Sequence, residues 1–310
     1  MSNNELMKQL DTRMEEQGFR WRMVSVEHVE ELKEEIFQRK RSGEIAEEVY
    51  RWYMTGFETS VAEALPGARS IIVVAAPQPR YQVGFTRDGK VHYFTIPPTY
   101  LHHTDQEIES VLKSVLEPSG CQFCHACLPE KLLTVRSGLG RYGRNNITYI
   151  EGMGSFHMPC AYYSDLPCGQ DHWQPVAMMD ICKNCHVCVD SCLPGALSRE
   201  RFIVQADKCV TFFTEINVPW PQWVGSCWDK DNKCLIGCMK CQLNCPKNRE
   251  NKNKVESLEV FSRQETSILL EEKERDRLPV DLLEKLERLY LAEYIPTLSR
   301  NLNILFQAVL

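Results

Sequence analysis

Cysteine sets the chemistry open to this chain. Fifteen occur in 310 residues, and ten of them fall from Cys182 to Cys245, eight of these in cluster-ligand spacing. The first run reads Cys182-Lys-Asn-Cys185-His-Val-Cys188-Val-Asp-Ser-Cys192. Two-residue gaps let three thiolates of one tight loop reach three corners of a cubane. The cysteine three residues further on faces away and ligates the other cluster of a two-cluster ferredoxin. The second set is Cys209, then Gly237-Cys238-Met-Lys-Cys241-Gln-Leu-Asn-Cys245-Pro246, ending in the Cys-Pro stop of a fourth ligand. The pattern predicts two 4Fe–4S clusters. One sits on Cys182, Cys185, Cys188 and Cys245, the other on Cys192, Cys209, Cys238 and Cys241. Zinc ribbons also use paired two-residue gaps. Three such cysteines in a row, with a fourth three residues on, favour clusters.

Seven cysteines remain: Cys121, Cys124, Cys127, Cys160, Cys168, Cys227 and Cys234. Cys121-Gln-Phe-Cys124-His-Ala-Cys127 has ligand spacing, with Cys160, Cys168 or His125 as candidates for a fourth partner. The alternative is small buried side chains or inert thiols. The opening MSNNELMKQLDTRMEEQGFRWR lacks the apolar core of a signal peptide. No apolar run approaches the roughly 18 residues of a membrane span. A reducing, cytoplasmic setting with no membrane partner is therefore expected, where thiols stay available for metal and redox work. The net charge of −6 does not suggest a general polyanion binder. Transfer RNA is a possible partner but not the favoured one, since it would need a local basic patch.

The elements that must position these residues are mixed. Residues 1–65 read as helical, with Val26, Val29, Leu32 and Ile36 at spacings of three and four, continued by Ile45, Val49 and Trp52. Leu65-Pro-Gly-Ala-Arg-Ser turns into Ile71-Ile-Val-Val-Ala-Ala, a β-branched run expected as a buried strand. Residues 91–96 suggest a second strand. Residues 105–116 suggest a helix with Thr104 as N-cap and Glu107 at its third position. A short helix at 130–136, a glycine-rich loop at 138–146 and short strands at 146–150 and 161–164 follow. Residues 182–246 are loop-rich. The polar, basic stretch 247–254 then gives way to amphipathic helices, one of them over 279–294. The fold class expected is α+β. An N-terminal helical segment (1–65) precedes an α/β domain (66–178), a double-cluster ferredoxin-like module (179–250) and a C-terminal helical segment (251–310).

Four pieces occur in a telling order: Pro66-Gly-Ala-Arg-Ser-Ile-Ile-Val-Val-Ala, Gly138-Leu-Gly-Arg-Tyr-Gly-Arg-Asn-Asn, Gly154-Ser-Phe, and the two cysteine runs. Together they resemble the epoxyqueuosine reductase family, itself related to the reductive dehalogenases. The glycine loop is the most discriminating piece and is similar to the family's Gly-Leu-Gly-Trp-Ile-Gly-Lys-Asn. Cys209-Val-Thr-Phe-Phe-Thr-Glu resembles the segment around the family's fifth cluster cysteine. The resemblance implies a cobalamin cofactor in the α/β domain, with clusters feeding electrons to cobalt and a flavodoxin or ferredoxin as electron donor. By analogy Gly138, Gly140, Gly143, Arg144 and Asn145 lie against the corrin. Glycines admit backbone amides to a bulky cofactor, and Arg144 and Asn145 bond its amide or phosphate groups. A tight turn joining helix to strand is the other reading of this loop.

One departure bears on chemistry. The family carries a proton-donating aspartate six residues before a glutamate–arginine pair. Here that pair aligns with Glu130-Lys131, which puts Cys124 in the aspartate's place. The donor candidates are then Cys124, His125, Tyr142 and His157. The family's helical-repeat extension that helps grip transfer RNA is not evident after residue 250. The expectation is a cobalamin-dependent reductase of a small-molecule or corrinoid substrate. Three alternatives stay open. One is a non-catalytic electron-transfer or activating protein for a corrinoid partner. Another is an epoxyqueuosine reductase of transfer RNA. The third is a metal or corrinoid handling protein with Cys121, Cys124 and Cys127 as ligands.

Overall fold

The structure is a computed structural model that describes residues 3–57, 60–227 and 233–309. Its strands are β1 (Arg20–Ser25), β2 (Ser70–Pro77), β3 (Arg80–Arg87), β4 (Lys90–Ile96), β5 (Phe123–His125), β6 (Arg141–Tyr142), β7 (Thr148–Tyr149), β8 (His157–Ser164) and β9 (Val255–Phe261). The chain divides into two compact units, Met1–Gln78 with His102–Cys185 and Pro79–Leu101 with His186–Leu310. Both are discontinuous, so the division crosses the four consecutive segments expected from sequence. No helix among the described residues is long and apolar enough to cross a membrane.

The first unit is built on the sheet β1-β2-β8-β5, antiparallel at every pairing. The β-branched run forms β2 as expected, buried from Ser70 to Ala76. Period two sends Ile72, Val74 and Ala76 into one core with Leu6, Leu10, Ile108 and Leu112. Ile71, Val73 and Ala75 enter the other, with Leu128 and Leu133. Helices cover both faces, so the run is apolar throughout although the sheet is antiparallel and not of the parallel α/β kind.

Two expectations are corrected in this unit. The first 65 residues are not wholly helical, because Arg20–Ser25 alternates exposed arginines with buried Trp21 and Met23 and pairs with β2. Thr104 is not the N-cap: the helix spans His103–Leu116, with His102 at the cap position. The Thr104 hydroxyl instead accepts from Nε2 of buried Gln78 at 2.6 Å.

In the second unit, β3 and β4 form a hairpin, and β9 joins β3 in parallel. Asp88 and Gly89 turn the hairpin with φ of 49° and 74°, the left-handed pair of a tight two-residue turn. Phe85, Phe94, Phe261 and Phe306 pack together in the core. The segment after residue 251 is helical apart from β9, a strand the sequence reading missed. The helix expected over 279–294 ends at Arg288, and Tyr290 follows with φ of 54°.

Candidate functional site

The two cysteine runs fold as a repeat. The short helices Val187–Asp190 and Lys240–Leu243 pack against each other and carry Cys188 and Cys241. Each run's last cysteine follows at the same offset, Cys192 and Cys245. Their amides donate to the carbonyls of Val189 at 3.0 Å and Gln242 at 3.2 Å. Leu235 occupies the place in the second run that Cys182 holds in the first. Cys209, the cysteine that spacing assigns to that set, stands at the N-cap of the helix Val210–Glu215.

Cys209 and Cys238 of the second unit are strongly affected by burial. Burial pushes Cys238 well above the usual thiol range, and the neighbouring thiols of Cys209, Cys234 and Cys241 push it further. Burial also raises Cys209, with added pressure from Cys192 and Glu215. Bare thiolates are therefore disfavoured at these two positions. Cys192, Cys209, Cys238 and Cys241 all lie in the second unit. Among the described residues no three His, Cys, Asp or Glu side chains converge as around a single metal ion. A cubane takes one thiolate per iron and needs no such convergence.

The glycine loop lies between the helix Glu130–Arg136 and β7, with β6 inside it. Its glycines make room for the protein's own side chains. A Cβ on Gly138 would sit 2.5 Å from Nε2 of Gln174. One on Gly140 would sit 2.9 Å from the Tyr149 carbonyl oxygen. One on Gly143 would sit 2.5 Å from both Oδ1 of Asn145 and a Tyr149 ring carbon. Asn145 and Tyr149 are buried and bonded to each other at 3.0 Å. Gly143→Ala is therefore expected to destabilise the fold by about 1–3 kcal/mol, the usual cost of overpacking. Thermal or urea unfolding checks this.

The same loop braces the first cysteine run. Arg144 donates to the Cys182 carbonyl through Nε at 3.1 Å and Nη2 at 2.8 Å. The Tyr142 amide donates to the Ala177 carbonyl, and the Met179 amide to the Tyr142 carbonyl. Asn145 keeps a buried Oδ1 without a hydrogen-bond partner among the described residues.

The four donor candidates do not form one site. Cys124 and His125 lie in β5, opposite Tyr163 and Tyr162 of β8. His157 starts β8, five residues before Tyr162, which is roughly 17 Å along a strand. Its ring is buried and held between Thr148 Oγ1 at 3.0 Å and the Gly154 carbonyl at 3.2 Å. Burial takes it down to about 4. Tyr142 is also buried, and burial and then the Glu35 carboxylate push its phenol upward. The Cys121–Cys127 run does not gather either. Cys121 packs in the core of Leu6 and Leu10, and Cys124 in that of Ile71 and Val73. Cys127 directs its thiol to the Gly56 carbonyl at 3.3 Å.

Near His125 the structure assembles a group that the sequence reading did not single out. Asp105 accepts from Cys160 Sγ at 3.1 Å and pairs with His102 Nδ1 at 3.3 Å. The Tyr162 hydroxyl donates to the Asp105 carbonyl at 3.4 Å, and His125 stands edge-on to the Tyr162 ring. Burial raises Asp105, but the bonds from His102 and Cys160 outweigh it and hold its carboxyl below the usual range. Glu130 goes the other way. Burial first, then the Asp105 charge, take it up to about 8. One carboxyl is ionised and its neighbour protonated near neutrality, an acid–base pair split by environment. Both are first-turn acids of helices, so local pattern offered only a helix-start reading for them.

No protein-family model matches the chain. Among characterised proteins, the epoxyqueuosine reductase of Cellulophaga algicola is 30% identical over 157 residues, covering 50% of this chain and 48% of that protein. The Staphylococcus aureus enzyme of the same name is 28% identical over 217 residues, covering 64% and 54%. The chain thus spans about half the length of the curated relatives it matches. Among solved structures, epoxyqueuosine reductase from Streptococcus thermophilus aligns over 97% of this chain and 80% of its own. The TM-score is 0.66 and the identity 17%, a likeness of fold. A further epoxyqueuosine reductase, solved with a modified tRNA-Tyr stem loop, aligns with the same TM-score at 17% identity, over 98% of this chain and 82% of its own. The chain is similar to the epoxyqueuosine reductases, as its glycine loop and cysteine spacing implied.

Proposed function

We propose that this chain is an iron–sulfur oxidoreductase of the epoxyqueuosine reductase type, with epoxyqueuosine in transfer RNA as substrate. The observation that carries this reading is the shared name of relatives matched at 28–30% identity. It takes precedence over the unassigned small-molecule or corrinoid substrate. It also takes precedence over the lower standing given to transfer RNA on the strength of Cys124 and the C-terminal segment. The reaction takes two electrons and two protons, turns the epoxide into an alkene and releases its oxygen as water.

The eight cysteines would hold two 4Fe–4S clusters, reduced by a flavodoxin or ferredoxin. Cobalamin is the further group that the resemblance implies, and when bound it supplies the chemistry at cobalt. That Gly138, Gly140 and Gly143 lie against it is the expectation that the cobalt analysis below tests. Gln174, Tyr149 and Asn145 fill the space beside the glycines, and the Cys182 carbonyl holds Arg144. In this reading the loop positions the first cysteine run, and no step is routed through the corrinoid. One of the two protons would come from Glu130 beside the Asp105 carboxylate, and the other from solvent, since His157 and Tyr142 are committed to internal packing.

The test is anaerobic purification with iron and cobalt analysis, then incubation with epoxyqueuosine-containing transfer RNA and a reduced flavodoxin. About eight irons per chain are expected, with nucleoside mass spectrometry registering the loss of one oxygen. Clusters and cobalamin in place with no conversion would reject the substrate. Absence of iron would reject the whole reading.

A further inference from the structure

Of the groups along the first cysteine run, one is chemically unresolved within the protein. His186 lies between Cys185 and Cys188, at the N-cap of the helix Val187–Asp190. Its backbone is committed to starting that helix, and its carbonyl accepts from the Asp190 amide at 2.9 Å. Its side chain is not so placed: Nδ1 is buried and has no hydrogen-bond partner among the described residues.

Other histidines of the chain show the contrast. His157 uses both nitrogens, on Thr148 and Gly154. His172 Nδ1 meets the Met23 carbonyl at 3.0 Å. His28 Nε2 meets Asp171 at 2.8 Å. A buried polar atom left unsatisfied in a native fold marks a missing partner. Within a ligand loop the nearest acceptors that a cubane brings are its own sulfurs and the cysteine thiolates. Hydrogen bonds to those sulfurs are among the determinants of cluster potential.

We infer that His186 donates a hydrogen bond from Nδ1 to the cluster held by the Cys182–Cys188 run, and so raises that cluster's reduction potential. This rests on the two-cluster reading above. The sign follows from charge. Reduction adds an electron to the cluster, and an N–H dipole aimed at its sulfur stabilises the more negative state. His186 is a positioning residue in this role, since it acts through the cluster and touches no substrate.

The experiment is a redox titration of the full chain, loaded with clusters under anaerobic conditions and followed by electron paramagnetic resonance. In His186→Phe one of the two cluster potentials is expected to move negative, while the other and the iron content stay as in the wild type. His186→Asn keeps a donor and is expected to recover part of the shift. Unchanged potentials in His186→Phe overturn the role of His186, and so does an equal shift of both clusters. If His186→Phe loses iron through crowding, His186→Ala replaces it under the same criteria. A wild-type chain without iron fails the two-cluster reading itself, a result distinct from any of these.

Discussion

Replacing Cys192 by alanine is expected to remove the same cluster as replacing Cys209. Replacing Cys245 should remove the one lost with Cys182. This is the crossed grouping predicted from the cysteine spacing, although Cys192 belongs to the first run and Cys245 to the second. The crossed grouping follows from the repeat. The helices Val187–Asp190 and Lys240–Leu243 pack together, and the cysteine after each stands four residues beyond the one within it. That offset carries the last cysteine away from its own loop. Cys192 raises Cys209 electrostatically, and Cys209 and Cys241 raise Cys238, so Cys209 neighbours members of both runs. Each alanine variant should lose about half of roughly eight irons per chain. The electron paramagnetic resonance spectra of the reduced variants should fall into two classes, with Cys192→Ala and Cys209→Ala in one. If Cys192→Ala instead shares its residual signal with Cys182→Ala, each run holds its own cluster and the crossed assignment is wrong.

How much of this was legible beforehand depended on whether the signal was local. Cluster ligation is a matter of covalent spacing, so the cysteine runs could be read directly. The β2 run announces itself by seven consecutive small or β-branched residues from Ser70 to Ala76. In contrast, β9 reads Val-Glu-Ser-Leu-Glu-Val-Phe, with most positions exposed. It exists because β3 pairs with it from about 170 residues away, beginning at Arg80 and Val255. Nothing near residue 255 reports that partner. The glycine loop was half legible. Its residue types say that something approaches the backbone closely, but they do not say what. That Gln174 and Tyr149 stand beside these glycines needed the folded chain. Asp105 and Glu130 were hidden for the same reason, since each looks like an ordinary first-turn acid until the fold brings them together.

That pair leads to the other large expected effect, a loss of stability as pH rises from about 6.5 to about 8 that Glu130→Gln abolishes. Glu130 is carried from 4.5 up to about 8 in the folded state. Between those values the folded chain holds a proton that the unfolded chain has released. Stability therefore falls as pH rises through this window and levels off above about 8. His157 acts in the opposite sense lower down. It is taken from 6.5 down to about 4, so its contribution grows as pH rises from 4 to 6.5 and is constant above. Asp105 is held below 3.8, so its contribution is complete before the window opens. Buried thiols such as Cys209 and Cys238 add a smaller fall near pH 8, so the difference between wild type and Glu130→Gln over 6.5 to 8 isolates Glu130. The interval spans about 1.5 pH units, on the order of 2 kcal/mol. Glutamine keeps the shape and removes the titration. Denaturant unfolding at pH 6.5 and pH 8 should show the wild type losing that stability and Glu130→Gln holding nearly level. Parallel behaviour of the two proteins would mean that Glu130 is ionised in the folded state, and it could not then be the acid that supplies one of the protons.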